Sequence, residues 1–348
     1  MPPGSNPVLS YVDAYISHGV SLVKGGEPSA QISQDFMDSY RGLAVETSLL
    51  TGLYWLISTK QLVSLYVPCP TDPLRPMVDK LLKSCYRSGG FAGSPTIQSP
   101  SVIPTTSALQ LATMFGIDLS AWREEMVSWL LGLISIDGLV SSGSEWLEVA
   151  GDIRFVYCVT LSLTLLGHQV SDEKSRSLVS WIVKCQGPDG GFGQRPGCES
   201  HAGHTFCAVA SMKLLHQKGF DSERCILWLK RRIVYPGSEG CTGRPGKRAD
   251  SCYVFWVMAA LSLLGQLPAR GDWLAPDGLR HFIGICFDKG KGGIAPSPEC
   301  PADPFHTYFA LTGLSIAALG GGTVELGGHE IELRRYCVEK ALVEPADC

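Results

Sequence analysis

The chain has 348 residues, 45% of them hydrophobic, and a formal net charge of −4. That is ample apolar material for a sizeable core, and no basic excess points to nucleic acid or an acidic membrane surface. Thirteen cysteines stand behind an N-terminus, Met1-Pro2-Pro3-Gly4-Ser5-Asn6, that lacks the apolar core of a signal peptide. They read as reduced, mostly buried thiols of a cytoplasmic protein.

Along the chain a pattern recurs. Ser88-Gly89-Gly90-Phe91 is followed by Ile136-Asp137-Gly138-Leu139, Asp189-Gly190-Gly191-Phe192, Ser238-Glu239-Gly240-Cys241 and Lys291-Gly292-Gly293-Ile294. Taking Gly90, Gly138, Gly191, Gly240 and Gly293 as equivalent, the steps are 48, 53, 49 and 53. A period of about fifty residues means a stacked array of one supersecondary unit.

Upstream of the glycines lie amphipathic stretches with helical spacing, such as Met77–Cys85 and Ser177–Cys185. Downstream lie apolar, small-residue-rich stretches: Phe155–Gly167, Thr205–Leu215, Tyr253–Gly265 and Thr307–Leu319. Each unit therefore reads as an outer helix, a glycine turn and a buried inner helix. Five to six such hairpins close into an all-α, α/α barrel (toroid), a single domain over residues 1–348. No apolar run is long enough to span a membrane; the longest, Tyr253–Leu264, contains Ser262. Gly320 to about Glu325 reads as a flexible link, and Ile331–Ala341 as one last short helix. The terminal Cys348 fits no lipidation box.

In such a barrel the starts of the inner helices face one end. Unusual polar groups sit there: Arg154, His201, Asp250 with Cys252, and His306. Asp250, Cys252 and His306 offer oxygen, sulfur and nitrogen, the three-ligand pattern of a catalytic zinc ion with an open fourth position for a substrate thiol. Taken singly, a histidine at a helix start is more often a cap, and Cys252 could be ordinary packing. Recurrence at equivalent points of the repeat is what favours the joint reading. Arg244, Lys247, His201 and Tyr253 form a donor set suited to a diphosphate, with Tyr253 able to donate to a departing oxyanion. Surface solvation is the plainer reading of Arg248 and Lys289. Aromatic residues on inner helices, above all Trp55 and Trp256, suit an apolar channel, although core packing explains most of the others.

With these residues in view, the chain resembles the β subunits of the protein prenyltransferases over nearly its whole length. The resemblance is carried by Asp250-Ser251-Cys252-Tyr253, Gly243-Arg244-Pro245 with Lys247, Glu199-Ser200-His201-Ala202-Gly203, Arg154-Phe155 and Asp303-Pro304-Phe305-His306-Thr307. It implies one Zn2+ on Asp250, Cys252 and His306, and a lipid diphosphate held by His201, Arg244, Lys247 and Tyr253 with Arg154. It also implies a helical α subunit as partner. Among the branches, Gly191-Phe192-Gly193, Arg195-Pro196-Gly197, Gly52-Leu53-Tyr54-Trp55 and Thr105–Leu111 look like the type II (Rab) geranylgeranyl enzymes, whose substrate is a Rab GTPase presented by an escort protein. Glu46-Thr47-Ser48, Arg154–Cys158 and Thr205-Phe206-Cys207 look like type I, which acts on CaaX proteins. Thr51 stands where the farnesyl branch has a bulky tryptophan, which implies a twenty-carbon donor, geranylgeranyl diphosphate. The resemblance departs at Pro296, where the farnesyl and type II branches carry an aspartate linked to Mg2+; Glu299 is the nearest carboxylate.

Overall fold

The computed structural model describes residues 6–23, 43–65, 67–144, 151–234, 240–267, 276–318, 322–326 and 328–333. Both chain termini, Cys348 included, lie outside the described residues, as do the side chains of Glu46-Thr47-Ser48.

The inner helices are Leu43–Val63, Val102–Phe115, Ile153–Leu165, Ala202–Leu214, Tyr253–Leu263 and Pro304–Ala317. Each packs on its neighbours in that order, and Pro304–Ala317 packs back on Leu43–Val63, so the ring closes. Many of their serines and threonines are accommodated in this buried layer because the hydroxyl bonds back to a carbonyl one turn earlier. Thr106, Thr160, Ser211 and Thr312 donate to Val102, Val156, Cys207 and Tyr308 at 2.7–2.9 Å. Outer helices alternate with them: Pro7–Val23, Arg75–Cys85, Arg123–Gly132, Asp172–Lys184, Ser222–Lys230 and Pro276–Ile285. Asp172–Lys184 shows the logic. It buries Ser175, Leu178, Trp181 and Ile182 on one stripe, with Asp172 and Glu173 in its first turn and Lys184 in its last, matching the helix dipole. Among the described residues these six hairpins form the expected toroid. Among the described residues no disulfide forms, and no helix is long and apolar enough to cross a membrane.

The glycine register differs from the sequence reading in one repeat. Val140 pairs with Ile134 as Phe91 pairs with Tyr86, Phe192 with Gln186, Cys241 with Ile233 and Ile294 with Phe287. Leu139 thus holds the place of Gly90, Gly191, Gly240 and Gly293. Gly138 is equivalent instead to Gly89, Gly190 and Gly292, all with positive φ between 79° and 98°. In these four repeats the positive-φ demand lies at that first position, and the Gly138 repeat keeps its one glycine there. The remaining repeat has its glycine, Gly240, at the second position, where a Cβ would lie 2.9 Å from the Phe282 ring. Close approach adds a second demand. A Cβ on Gly138 would lie 2.1 Å from the Ser177 carbonyl oxygen, and one on Gly292 would lie 2.4 Å from that of Pro7. Each turn presses on the next outer helix, and the last presses on the first, which closes the outer ring.

A hydroxyl on the inner helix fastens three of these turns. The amides of Phe91, Phe192 and Ile294 donate to Thr105, Thr205 and Thr307 Oγ1 at 2.8–3.0 Å.

The tail departs from expectation. Gly322–Leu326 and His329–Leu333 form an antiparallel hairpin with Val324 opposite Ile331, in place of a link and the start of a helix. The period-two alternation around Gly328 (φ 85°) is the cause. Leu326 and Ile331 are buried, and the hairpin packs against Leu43–Val63 and Pro276–Ile285, across the seam of the ring.

Candidate metal centre and anion site

Three inner helices start two or three residues earlier than periodicity suggested, at Ile153, Ala202 and Pro304, while the fourth starts at Tyr253 as expected. The residues at and just before these starts build the site. Asp152, His201 and Asp303 are N-caps in extended conformation, accepting from the amides of Arg154, Gly203 and His306. Asp250 Oδ1 accepts from the Cys252 amide at 3.0 Å in the same way. The cap amides also match, since His201, Asp250 and Asp303 donate to the carbonyls of Phe192, Cys241 and Ile294. Side chains at the cap and at the second and third residues after it therefore recur around one end of the ring.

A second repeated bond pulls each helix start toward the following loop. Val102, Ile153, Ala202 and Ser251 donate their amides to the carbonyls of Ser142, Gln194, Gly243 and Pro296 at 2.8–3.0 Å. The Gly243–Arg244 loop is thereby drawn against the His201 helix. Gly243 is required here because a Cβ would lie 2.3 Å from the Tyr253 ring.

Asp250 and Cys252 from one helix start converge with His306 from the next. One ligand atom from each lies within 4.8 Å of the others. His306 Nε2 is 3.4 Å from Asp250 Oδ1, while its Nδ1 is 2.6 Å from Asp303 Oδ2. Asp303 thus holds the ring with Nδ1–H toward itself and Nε2 toward the other two groups, the outer-shell arrangement of a metal-ligating histidine. Burial opposes a charge on His306, but the carboxylates of Asp250 and Asp303 outweigh it and raise its pKa to about 9. The cluster therefore demands positive charge. Burial, and then the Asp250 charge, push the Cys252 thiol up. A divalent cation would meet both conditions, replacing the proton and stabilising the thiolate.

His201 is the reverse case at Nδ1. Its Nδ1 accepts from the Gly203 amide at 3.2 Å, so the neutral ring carries its proton on Nε2, which is 3.0 Å from the Tyr253 hydroxyl. Burial, then Arg244 and Arg154, lower the His201 pKa and favour that neutral form. With His201 donating, the Tyr253 O–H is free to donate elsewhere. Burial, then Cys252 and Asp250, raise the Tyr253 pKa to about 12, so it stays protonated.

Other predicted residues are less directly joined. Arg244 pairs with Glu199 at 2.7 Å at the surface. Arg154 pairs with the fully buried Asp152 at 2.6 Å, and Gln194 also bonds that carboxylate, so much of the Arg154 charge is met within the protein. Lys247 is exposed further along the Arg244 loop. The Pro296 carbonyl serves as the acceptor for Ser251, and Glu299 is exposed.

Trp55 and Trp256 belong to a belt of aromatic rings across the inner helices. Trp55 meets Phe305 at 5.1 Å, Trp256 meets Phe309 at 4.5 Å and Phe206 at 5.3 Å, and Phe206 meets Tyr157 at 5.4 Å. Both tryptophans remain half-buried. Thr51 is buried and accepts from Ser107 Oγ at 3.1 Å. Sequence reasoning missed the part of Asp303, although an aspartate directly before Pro304 is a helix-start signal. It also missed Glu199, Asp152 and Gln194 as partners of the arginines, which no local pattern reveals.

Comparison with known proteins agrees with the toroid fold. The prenyltransferase alpha-alpha toroid domain family matches residues 32–332. The chain is 33% identical to the geranylgeranyl transferase type-2 subunit beta of Saccharomyces cerevisiae over 77% of its length and 80% of that protein. It is 32% identical to the geranylgeranyl transferase type-1 subunit beta of Arabidopsis thaliana, over 65% of this chain and 64% of that one. The solved Candida albicans protein geranylgeranyltransferase-I, complexed with GGPP, shares the fold with a TM-score of 0.69 at 20% identity, covering 89% of this chain and 90% of that chain.

Proposed function

The chain belongs to the prenyltransferase alpha-alpha toroid family, and on that premise we propose that it is the catalytic β subunit of a type II (Rab) protein geranylgeranyltransferase. At the coarser level it is a prenyltransferase-family catalytic subunit that transfers isoprenoid groups to cysteine thiols. The finer reading rests above all on the convergence of Asp250, Cys252 and His306 beside Tyr253, which meets His201 of the preceding repeat. Greater coverage of a type-2 relative than of a type-1 relative supports the branch.

Asp250, Cys252 and His306 would hold Zn2+, which keeps a substrate cysteine as thiolate at neutral pH. The thiolate sulfur attacks C1 of geranylgeranyl diphosphate, the C1–S bond forms, and the C1–O bond to diphosphate breaks with its electron pair leaving on oxygen. Tyr253 donates its free O–H to that oxygen, while His201 holds the Tyr253 ring in place. Arg244 and Lys247 lie on the neighbouring loop as cations for the diphosphate. The aromatic belt with Trp55 and Trp256 provides apolar surface for the isoprenoid, and Thr51 leaves room for a fourth isoprene unit. Protein partners in this reading are a helical α subunit and a Rab GTPase carried by an escort protein.

The test is a transfer assay on the assembled heterodimer with geranylgeranyl diphosphate. A Rab–escort complex is expected to be modified and a CaaX peptide is not. Transfer to the CaaX peptide alone would assign the chain to type I, the reading supported by its Arabidopsis relative. Running the assay with and without Mg2+ decides whether Pro296 has removed that requirement. Full turnover by a Cys252→Ala protein would overturn the zinc mechanism.

A further inference from the structure

His204 takes no part in the steps above, yet it stands in a slot that elsewhere carries chemistry. It lies three residues after the cap His201, as Tyr253 lies after Asp250 and His306 after Asp303. Its ring centroid is 4.8 Å from that of His201. The Asp152–Arg154 pair is also near enough to act on it electrostatically. Its Nδ1 is buried without a hydrogen-bond partner, which leaves Nε2 as the open nitrogen.

The orphaned atom fixes the tautomer. A buried N–H with no acceptor is costlier than a bare lone pair, so the proton belongs on Nε2. Burial, then His201, lower the His204 pKa to about 4. At neutral pH the ring is therefore uncharged, with one N–H to donate, beside two groups already assigned to an anion. We propose that His204 is a further binding residue for the donor diphosphate, giving it an Nε2–H bond next to His201. This rests on the reading of the chamber as an isoprenoid diphosphate site. It also gives Arg154, otherwise spent on Asp152, a neighbour through which the anion-binding arc continues.

The test compares wild type, His204→Phe and His204→Gln in the assembled enzyme. Binding of geranylgeranyl diphosphate and of geranylgeraniol, which lacks the diphosphate, is measured by tryptophan fluorescence. His204→Phe should weaken diphosphate binding about 10- to 100-fold and leave the alcohol unchanged. His204→Gln, whose amide nitrogen can reach the same point, should restore most of the loss, and zinc content should not change in either variant. Wild-type diphosphate affinity in His204→Phe, or an equal loss for the alcohol, would overturn the assignment and make the ring a packing element. A wild-type enzyme that does not prefer the diphosphate to the alcohol would overturn the reading of the chamber itself, and this proposal with it.

Discussion

The helix starts at Val102 and at Tyr253 share a frame and differ in everything chemical. In both repeats the residue at the cap position donates its amide to the second short strand, Ser101 to Phe91 and Asp250 to Cys241, each at 3.1 Å. In both, the next amide bonds the following loop, Val102 to Ser142 and Ser251 to Pro296. The side chains hung on that frame are Ser101, Ile103 and Pro104 in one arc, and Asp250, Cys252 and Tyr253 in the other. Ile103 is 37% exposed and Cys252 only 5%. The lesson is that the repeat separates scaffold from chemistry. Turn glycines and the backbone rungs hold the ring, while three slots per helix start are free to carry ligands.

The sharpest test of that separation is Cys252→Ala. Turnover should fall roughly 10³-fold, about 4 kcal/mol of transition-state stabilisation, and metal analysis should show zinc lost, while the thermal midpoint of the assembled enzyme barely moves. Unfolding of this variant would mean that the slot is scaffold after all. Gly138→Ala probes the other side. A methyl group there meets the Ser177 carbonyl at a φ of 79°, so urea denaturation should show a loss of about 2–4 kcal/mol, with activity per folded molecule retained. Asp303→Asn lies between the two classes, because Asp303 both caps its helix and orients His306. Zinc affinity should drop about 10- to 100-fold, measured by competition with a chromophoric chelator, with a smaller effect on stability. Smallest of all is Ile103→Ala, in the slot equivalent to Cys252. Zinc content and turnover should stay within about twofold of wild type, as for surface substitutions generally. A clear fall in zinc content there would show that the two arcs are not independent.

Legibility in the sequence followed the same division. The glycine clusters and helical periodicity exposed the repeat because every unit meets the same steric demand. Gly138 was read one position off because a single glycine leaves the choice of register to the strand pairing, and Ile134 with Val140 makes that choice. The hairpin at Gly322–Leu333 was read as a link and a helix because five-residue strands give too short a pattern for periodicity to settle without the surfaces they cover. Asp250, Cys252 and His306 stood out because their residue types are costly to bury without purpose. His204 did not, since a histidine beside another histidine at a helix start is plainly explained as a cap.

By itself, the sequence determined the toroid, its period, and which residue types wait at the helix starts, because these depend on local sterics and on hydrophobic pattern. Only the tertiary structure decided which of them meet. His306 reaches Asp250 because adjacent repeats are held in register by backbone bonds between one helix start and the next loop. Nδ1 is bare in His201 and protonated in His306 because one faces a backbone amide and the other a carboxylate. Such pairings join residues some fifty positions apart, as His201 and Tyr253 are (|i−j| of 52). Only the closed ring fixes the distance between them.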